Sequence, residues 1–453
     1  MKNLLHSKKF RNFLIIFLVF ITLGILYSSK VFSFYKTNPQ KISLFQANNI
    51  SVDLSSTCPQ ELFTKYAPSV KNVVEELQGR AGRKGQFLNW ITVLPEGQLN
   101  NIDKIYEMAD KARNNGDFED LAVIGIGGSR HTNEAIVKLF SLDENVYFYS
   151  GIDNTSFERF IERIDPEETL FLVVSKSGRT LETLTGYQKS REAVEKLVGK
   201  EEAKKHFVAI TDEDANKSNL RKILDRGDIS ISGVVHNDVG GRFSIFDDAS
   251  LFTLAYQGLP KKDMQALLKG SLKAQKEYLN PDINKNKAAM QAVFNVEAKK
   301  NGKILQFVEL FGDYFEGAQF WEKQLKNESI KDKFYTDTNI GPAYLHYNAE
   351  SDLAPGNNYS AYTIVNVKPD NDKKLNAVIS GVVEAYAKQH PVSHIQLDNL
   401  SPETIAKFIE LKHFETIYSG MLLRPQDSLK PDVLPEVLQP NVEKYKKEVK
   451  KLL

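Results

Sequence analysis

Cysteine is almost missing from this chain: Cys58 is the single one in 453 residues. A lone thiol excludes an intramolecular disulfide and any metal site built from several cysteines. Histidine is sparse too, with eight residues and no His-Glu-x-x-His spacing, which argues against a catalytic zinc. Excess charge of either sign is lacking, since 59 Lys and Arg face 58 Asp and Glu for a formal net charge of +1. No global field draws such a chain to nucleic acid, and no nucleic-acid partner is expected. Low-complexity tracts and short repeats are absent as well. What remains is ordinary for a globular protein, and the length allows two or three domains with a large core. A metal-free enzyme with no cofactor is the starting expectation.

The long hydrophobic run sits at the N-terminus, where Lys2, Lys8, Lys9 and Arg11 precede an apolar stretch from Phe13 to Tyr27. Its polarity is that of a signal peptide and its length approaches that of a membrane span. The reading taken is an uncleaved N-terminal hydrophobic helix, ahead of a cleaved signal and of a misassigned start. It predicts a membrane-anchored protein held through residues 13–27, with the catalytic body outside. A cytoplasmic placement is the alternative if the segment is not used.

Residues 28–60 are polar and irregular and read as a linker. Helical periodicity follows to about Gly116, as in Val70, Val73, Val74 and Leu77. From there strands and helices alternate. Strands are expected at 121–126, 146–149, 169–174, 207–211 and 229–232, with helices at 133–140, 156–164, 181–198 and 216–224. After a helical stretch at 261–300, strands at 304–309, 362–367 and 394–397 are separated by helices at 314–326, 373–389 and 401–417. Alternation of this kind means parallel sheets with helices on both faces. The division expected is 1–45 as anchor and linker, 46–115 as a helical extension, 116–260 as a first α/β domain, and 261–453 as a second with a C-terminal helix.

Three glycine- and hydroxyl-rich segments carry the chemistry: Gly-Ile-Gly-Gly-Ser at 125–129, Ser-Lys-Ser-Gly-Arg-Thr at 175–180, and Val-Gly-Gly-Arg-Phe-Ser at 239–244. The first two lie between an apolar strand and a helix. Such turns aim backbone N–H groups and hydroxyls at one spot, which suits a phosphate, although the same serines can merely cap a helix. In the third, Gly240 and Gly241 let the backbone turn tightly and aim the Arg242 guanidinium.

Together with Glu-Ser-Ile-Lys at 328–331, Tyr-Leu-His at 344–346 and Gln-Pro-x-Val-Glu-x-x-Lys at 439–446, these segments resemble the glucose-6-phosphate isomerase family over roughly residues 85–453. The resemblance implies an α/β fold of two sugar-isomerase-type three-layer αβα domains with parallel sheets. It implies an aldose–ketose isomerase interconverting glucose 6-phosphate and fructose 6-phosphate through an enediolate, and a homodimer. Alternatives are a dual phosphoglucose/phosphomannose isomerase, or a membrane-tethered sugar-phosphate-binding protein that has lost catalysis.

By the same resemblance Gly128, Ser129, Ser175, Lys176, Ser177 and Thr180 hold the sugar phosphate, with Gln439 as a further contact. Glu328 is the base moving a proton between carbons 2 and 1, and Arg242 meets the enediolate charge. His346 and Lys446 open the cyclic sugar, and Glu182 orients that histidine. Blander readings stand beside these: a helix-end glutamate, a structural salt bridge, a structural histidine, and a solvated lysine face. The chain departs from the family at Arg130–Asn133, where an apolar residue and a glycine are usual. It also departs after Glu328, where Ile330, Lys331 and Asp332 stand in place of an expected glycine, and at Tyr347–Glu350.

Overall fold

The computed structural model describes residues 50–54, 57–368, 372–424 and 440–452. A short strand, β1 (Ile50–Asp53), is followed by helices α1 (Gln60–Arg80), α2 (Val93–Asn100) and α3 (Ile102–Asn114). α1 buries Phe63, Tyr66, Val70, Val73, Val74 and Leu77 along one stripe, as three- and four-residue spacing requires.

The first sheet comprises β2 (Asp120–Ile124), β3 (Val146–Tyr149), β4 (Thr169–Val174), β5 (Phe207–Thr211) and β6 (Ile231–Val234). Its order is β3-β2-β4-β5-β6 and every pair is parallel. β4 and β5 are buried at each position, so their sequences are nearly unbroken apolar runs. The connecting helices are α4 (Gly128–Leu139), α5 (Asn154–Ile161), α6 (Leu181–Val198), α7 (Lys200–Ala203) and α8 (Asn219–Asp225). Helices α9 (Asp248–Tyr256), α10 (Lys261–Tyr278) and α11 (Lys287–Lys300) then lead to a second sheet.

That sheet contains β7 (Leu305–Phe311), β8 (Tyr335–Gly341), β9 (Ser360–Val367) and β10 (Val392–Leu397) in the order β1-β10-β9-β7-β8. Only the β1–β10 pair is antiparallel. Its helices are α12 (Glu316–Ile330), α13 (Leu345–Asp352), α14 (Lys373–Ala387), α15 (Pro402–Leu423) and α16 (Pro440–Leu452). Each sheet reverses its winding once, between β2 and β4 in the first and between β7 and β9 in the second.

Five elements have no counterpart in the sequence reading, the four-residue α7 among them. β1 lies in the stretch read as linker, because four residues pairing on one side leave almost no pattern. β8, Tyr-Thr-Asp-Thr-Asn-Ile-Gly, is an edge strand too polar to read as one. α9 is buried at every position after Asp248 and so has no amphipathic period, while α13 is short and polar.

The membrane expectation is corrected. Among the described residues no helix is long and apolar enough to cross a membrane. Even α15, buried over most of its 22 residues, carries Glu410, Lys412 and Glu415 in the interior and is a core helix. The expected N-terminal hydrophobic helix at 13–27 lies outside the described residues, as does Gln439.

Candidate functional site

β2 and β4 are neighbours with Ile124 opposite Val173, so their two turns leave the sheet side by side. This is the winding reversal of the first sheet, where parallel α/β proteins bind ligands beyond the strand ends. Gly127 takes φ 59 and α4 begins at Gly128. At Gly178, with φ +54, an added Cβ would fall 2.3 Å from the Leu220 nitrogen, so no other residue fits that turn.

The hydroxyls divide their work. Ser175 is buried, and its Oγ accepts from the Gly178 N–H at 3.1 Å and bonds Thr180 Oγ1 at 3.2 Å, shaping the turn from inside. Ser177 is exposed, while Ser129 and Thr180 are half-buried at the starts of α4 and α6. First-turn N–H groups of both helices lack intrahelical acceptors, and the helix dipoles favour an anion there.

The arginine hinge touches the first turn directly. A Cβ on Gly128 would lie 2.2 Å from the carbonyl carbon and oxygen of Gly241, so two glycine backbones are in contact. Lys176 Nζ donates to the Val239 carbonyl at 3.2 Å, tying the phosphate turn to the same hinge. The hinge is closed at its base by His236, whose Nδ1 lies 2.5 Å from Asp247 Oδ1 and whose N–H donates to Asp247 Oδ2 at 3.2 Å. Burial alone would lower the His236 pKa, but Asp247, with Asp248 and Glu213, raises it to about 9. His236, Asp247 and Asp248 offer atoms close enough together for a metal ion. Protein N–H groups already fill those carboxylates, including Gln98 Nε2 at 2.7 Å and the Val234 N–H at 2.8 Å on Asp248. The cluster fits a hinge clamp better than a metal site.

α12 delivers the carboxylate. It packs so closely on α4 that a Cβ on Gly317 would sit 2.1 Å from the Glu134 carbonyl oxygen. Trp321 Nε1 donates to the Arg242 carbonyl at 2.9 Å. Arg242 in turn donates from Nε to Ser329 Oγ at 2.8 Å, from Nη1 to Glu328 Oε2 at 3.0 Å, and from Nη2 to the Glu328 carbonyl at 3.4 Å. The exposures are unequal: the Arg242 side chain is 2% exposed and that of Glu328 is 52% exposed. A buried cation thus faces a carboxylate that remains open to an incoming molecule. The other oxygen, Glu328 Oε1, accepts from Gln324 Nε2 at 2.8 Å, and Gln324 Oε1 meets His131 Nδ1 at 3.1 Å.

Two anchors fix the helix. Asn327 bonds both the N–H and the carbonyl of Thr336 on β8 at 2.8 Å. Buried Lys326 reaches Glu322 at 3.2 Å and Glu415 of α15 at 2.6 Å, and Lys412 reaches Glu322 at 2.9 Å.

The structure therefore brings together Gly128, Lys176, Arg242 and Glu328, with Ser129, Ser175, Ser177 and Thr180 on the adjoining turns. It does not gather the ring-opening set. His346 is exposed in the first turn of α13, Lys446 is exposed on α16, and Glu182 is half-buried in the first turn of α6. Among the described residues the side chains of His346 and Glu182 make no hydrogen bond or ion pair. Sequence reasoning missed Ser329, Gln324, His131 as a partner of Gln324, and the His236–Asp247 clamp. Gln324 had a signal, since it lies four residues before Glu328 on the same helix face. The departures at Arg130–Asn133 also resolve: Arg130 pairs with Glu134 at 3.0 Å, while Thr132 and Asn133 are buried and bond within α4 and to α9.

Parallel sheets with this winding and donor-lined turns at the reversal define an α/β protein of the sugar-isomerase type. A structure of a glucose-6-phosphate isomerase from Chlamydia trachomatis superposes with TM-score 0.73 at 16% identity, over 90% of this chain and 89% of that one. A hypothetical protein from Thermus thermophilus does so with TM-score 0.77 at 22% identity, over 89% and 99%. The chain belongs to the phosphoglucose isomerase family, whose profile matches residues 99–340. It is 30% identical over 275 residues to a glucose-6-phosphate isomerase of Clostridioides difficile, a match spanning 58% of this chain and 60% of that relative. The membrane-anchored placement is withdrawn on this footing, since these relatives are named as isomerases and no described helix spans a membrane.

Proposed function

We propose that the protein interconverts glucose 6-phosphate and fructose 6-phosphate through an enediolate. The observation that carries this reading is the Arg242–Glu328 pair, 86 residues apart in sequence and 3.0 Å apart in space. Glu328 takes the proton from carbon 2 and returns it to carbon 1, work that suits a half-exposed carboxylate held in place. Negative charge then develops on oxygen, and the buried guanidinium of Arg242 is already oriented to meet it without rearranging. Ser129, Ser177, Thr180, Lys176 and the first-turn N–H groups of α4 and α6 hold the phosphate, with Gly128 allowing the turns to touch. Ser175 shapes that turn. His346 and Lys446, with Glu182 orienting the imidazole, are assigned ring opening, and Gln439 a substrate contact. A homodimer belongs to the same reading, and sedimentation checks it.

The experiment is a coupled assay with fructose 6-phosphate as substrate. Production of glucose 6-phosphate supports the reading. Binding without turnover replaces it with a sugar-phosphate-binding protein, and equal turnover to mannose 6-phosphate replaces it with a dual isomerase.

A further inference from the structure

Of the four residues at 130–133, three are turned away from the carboxylate, and His131 faces it through one intermediary. The imidazole sits between α4 and α12, with its ring 5.9 Å from that of Phe320. Its Nδ1 lies 3.1 Å from Gln324 Oε1, and Gln324 Nε2 lies 2.8 Å from Glu328 Oε1. We propose that His131 is a positioning residue for Glu328, fixing through Gln324 the oxygen that Arg242 does not hold. This deepens the isomerase reading and rests on it.

The chemistry has one consistent arrangement. A carboxylate accepts only, so Gln324 must present its NH2 to Glu328 and its carbonyl to His131. The imidazole must then donate, which places its proton on Nδ1. Turning the amide over would set a carbonyl oxygen against the carboxylate and leave the imidazole proton facing an NH2 group. An Nδ1-protonated imidazole thus selects the amide orientation that steadies Glu328. The charged groups around the ring are Arg130 and Glu134 from α4 and Glu328 from α12. Burial is the largest influence and lowers the His131 pKa, which favours the neutral ring at neutral pH.

The test compares the parent with His131→Leu, His131→Asn, Gln324→Leu and the double variant His131→Leu/Gln324→Leu, using fructose 6-phosphate. Asn places an N–H donor close to the position of Nδ1. His131→Leu is expected to lower kcat about 10-fold, the range of one hydrogen bond, with KM changed less than about twofold. His131→Asn should recover most of the loss, and the double variant should be no worse than Gln324→Leu alone. Parental kcat in His131→Leu, or an Asn variant as impaired as Leu, overturns the proposal. Nitrogen-15 NMR of the parent imidazole decides the link without turnover: an Nδ1-protonated neutral ring supports it, and an Nε2-protonated ring overturns it. A parent with no turnover removes the isomerase reading, and the proposal falls with it even where the NMR shows the hydrogen-bonded link itself.

Discussion

At the winding reversal of the first sheet, β2 and β4 run into Gly-Ile-Gly-Gly-Ser and Ser-Lys-Ser-Gly-Arg-Thr. At the same place in the second sheet, β7 runs into Phe311-Gly312-Asp313-Tyr314. There Tyr314 O–H donates to the Phe311 carbonyl at 3.1 Å, and a Cβ on Gly312 would meet the Tyr314 ring at 2.3 Å. A phenol fills the space that hydroxyls and N–H groups line in the first half. The two halves share a topology and differ in chemistry, because a site is grafted onto a fold rather than dictated by it. The first half offers helix N-termini to an anion. The second offers the C-terminal end of α12, and with it Glu328.

If this division holds, the largest effect comes from the second half's carboxylate. Glu328→Gln keeps the shape and removes the base, so kcat should fall roughly 1,000-fold. Binding of a phosphorylated sugar, measured by calorimetry, should stay within a few-fold because the first-half turns are untouched. Near-parental turnover would erase the distinction between the halves.

His346 sharpens the comparison inside the second half, since it stands apart from the Arg242–Glu328 pair. His346→Ala should slow turnover of cyclic substrate roughly 100-fold while affecting pre-opened sugar less, with rapid mixing used to outrun ring closure. Equal losses on both forms would join His346 to the enediolate step.

Gly128→Ala attacks the first half at its backbone contact. A methyl group 2.2 Å from the Gly241 carbonyl must push the arginine hinge away, because neither backbone can yield as a side chain would. Destabilisation of about 2 kcal/mol is expected in urea unfolding, with reduced turnover as Arg242 shifts. Unchanged stability would mean that the two turns are not packed as described.

The first half was also the more legible in sequence. β3, β4, β5 and α6 have the bounds expected from the residues, since buried parallel strands are apolar runs and Gly199, at φ 83, ends α6. β8 and α9 were hidden for opposite reasons, one too polar for a strand and the other too uniformly buried for a helical period. Arg242 was legible from its glycine hinge. The His131–Gln324 contact was not, because it depends on two helices approaching at Gly317, and that approach is invisible along the chain. His346, Lys446 and Glu182 came from family resemblance alone, and the described contacts do not assemble them.

The smallest effect concerns the turn that ends α12. Lys331 there adopts φ 58 and ψ −117, a conformation that strains any residue with a Cβ. It falls in the stretch where the family usually has a glycine. The strained turn is held from both sides: the Lys331 N–H donates to the Asn327 carbonyl at 3.1 Å, and Arg424 Nη2 bonds the Ile330 carbonyl at 3.1 Å and Asp332 Oδ1 at 2.8 Å. Lys331→Gly removes strain of about 1–3 kcal/mol and adds unfolded-chain entropy costing about 0.5–1 kcal/mol, for a net gain near 1 kcal/mol. Lys331→Ala keeps the Cβ and should give no comparable gain. Urea unfolding of both variants separates strain from loss of the lysine side chain, since relief by glycine alone identifies the backbone as the source. Equal stability in the two would place the cost in the side chain. In either case phosphate binding at the first sheet's turns should not move, which keeps this test within the second half.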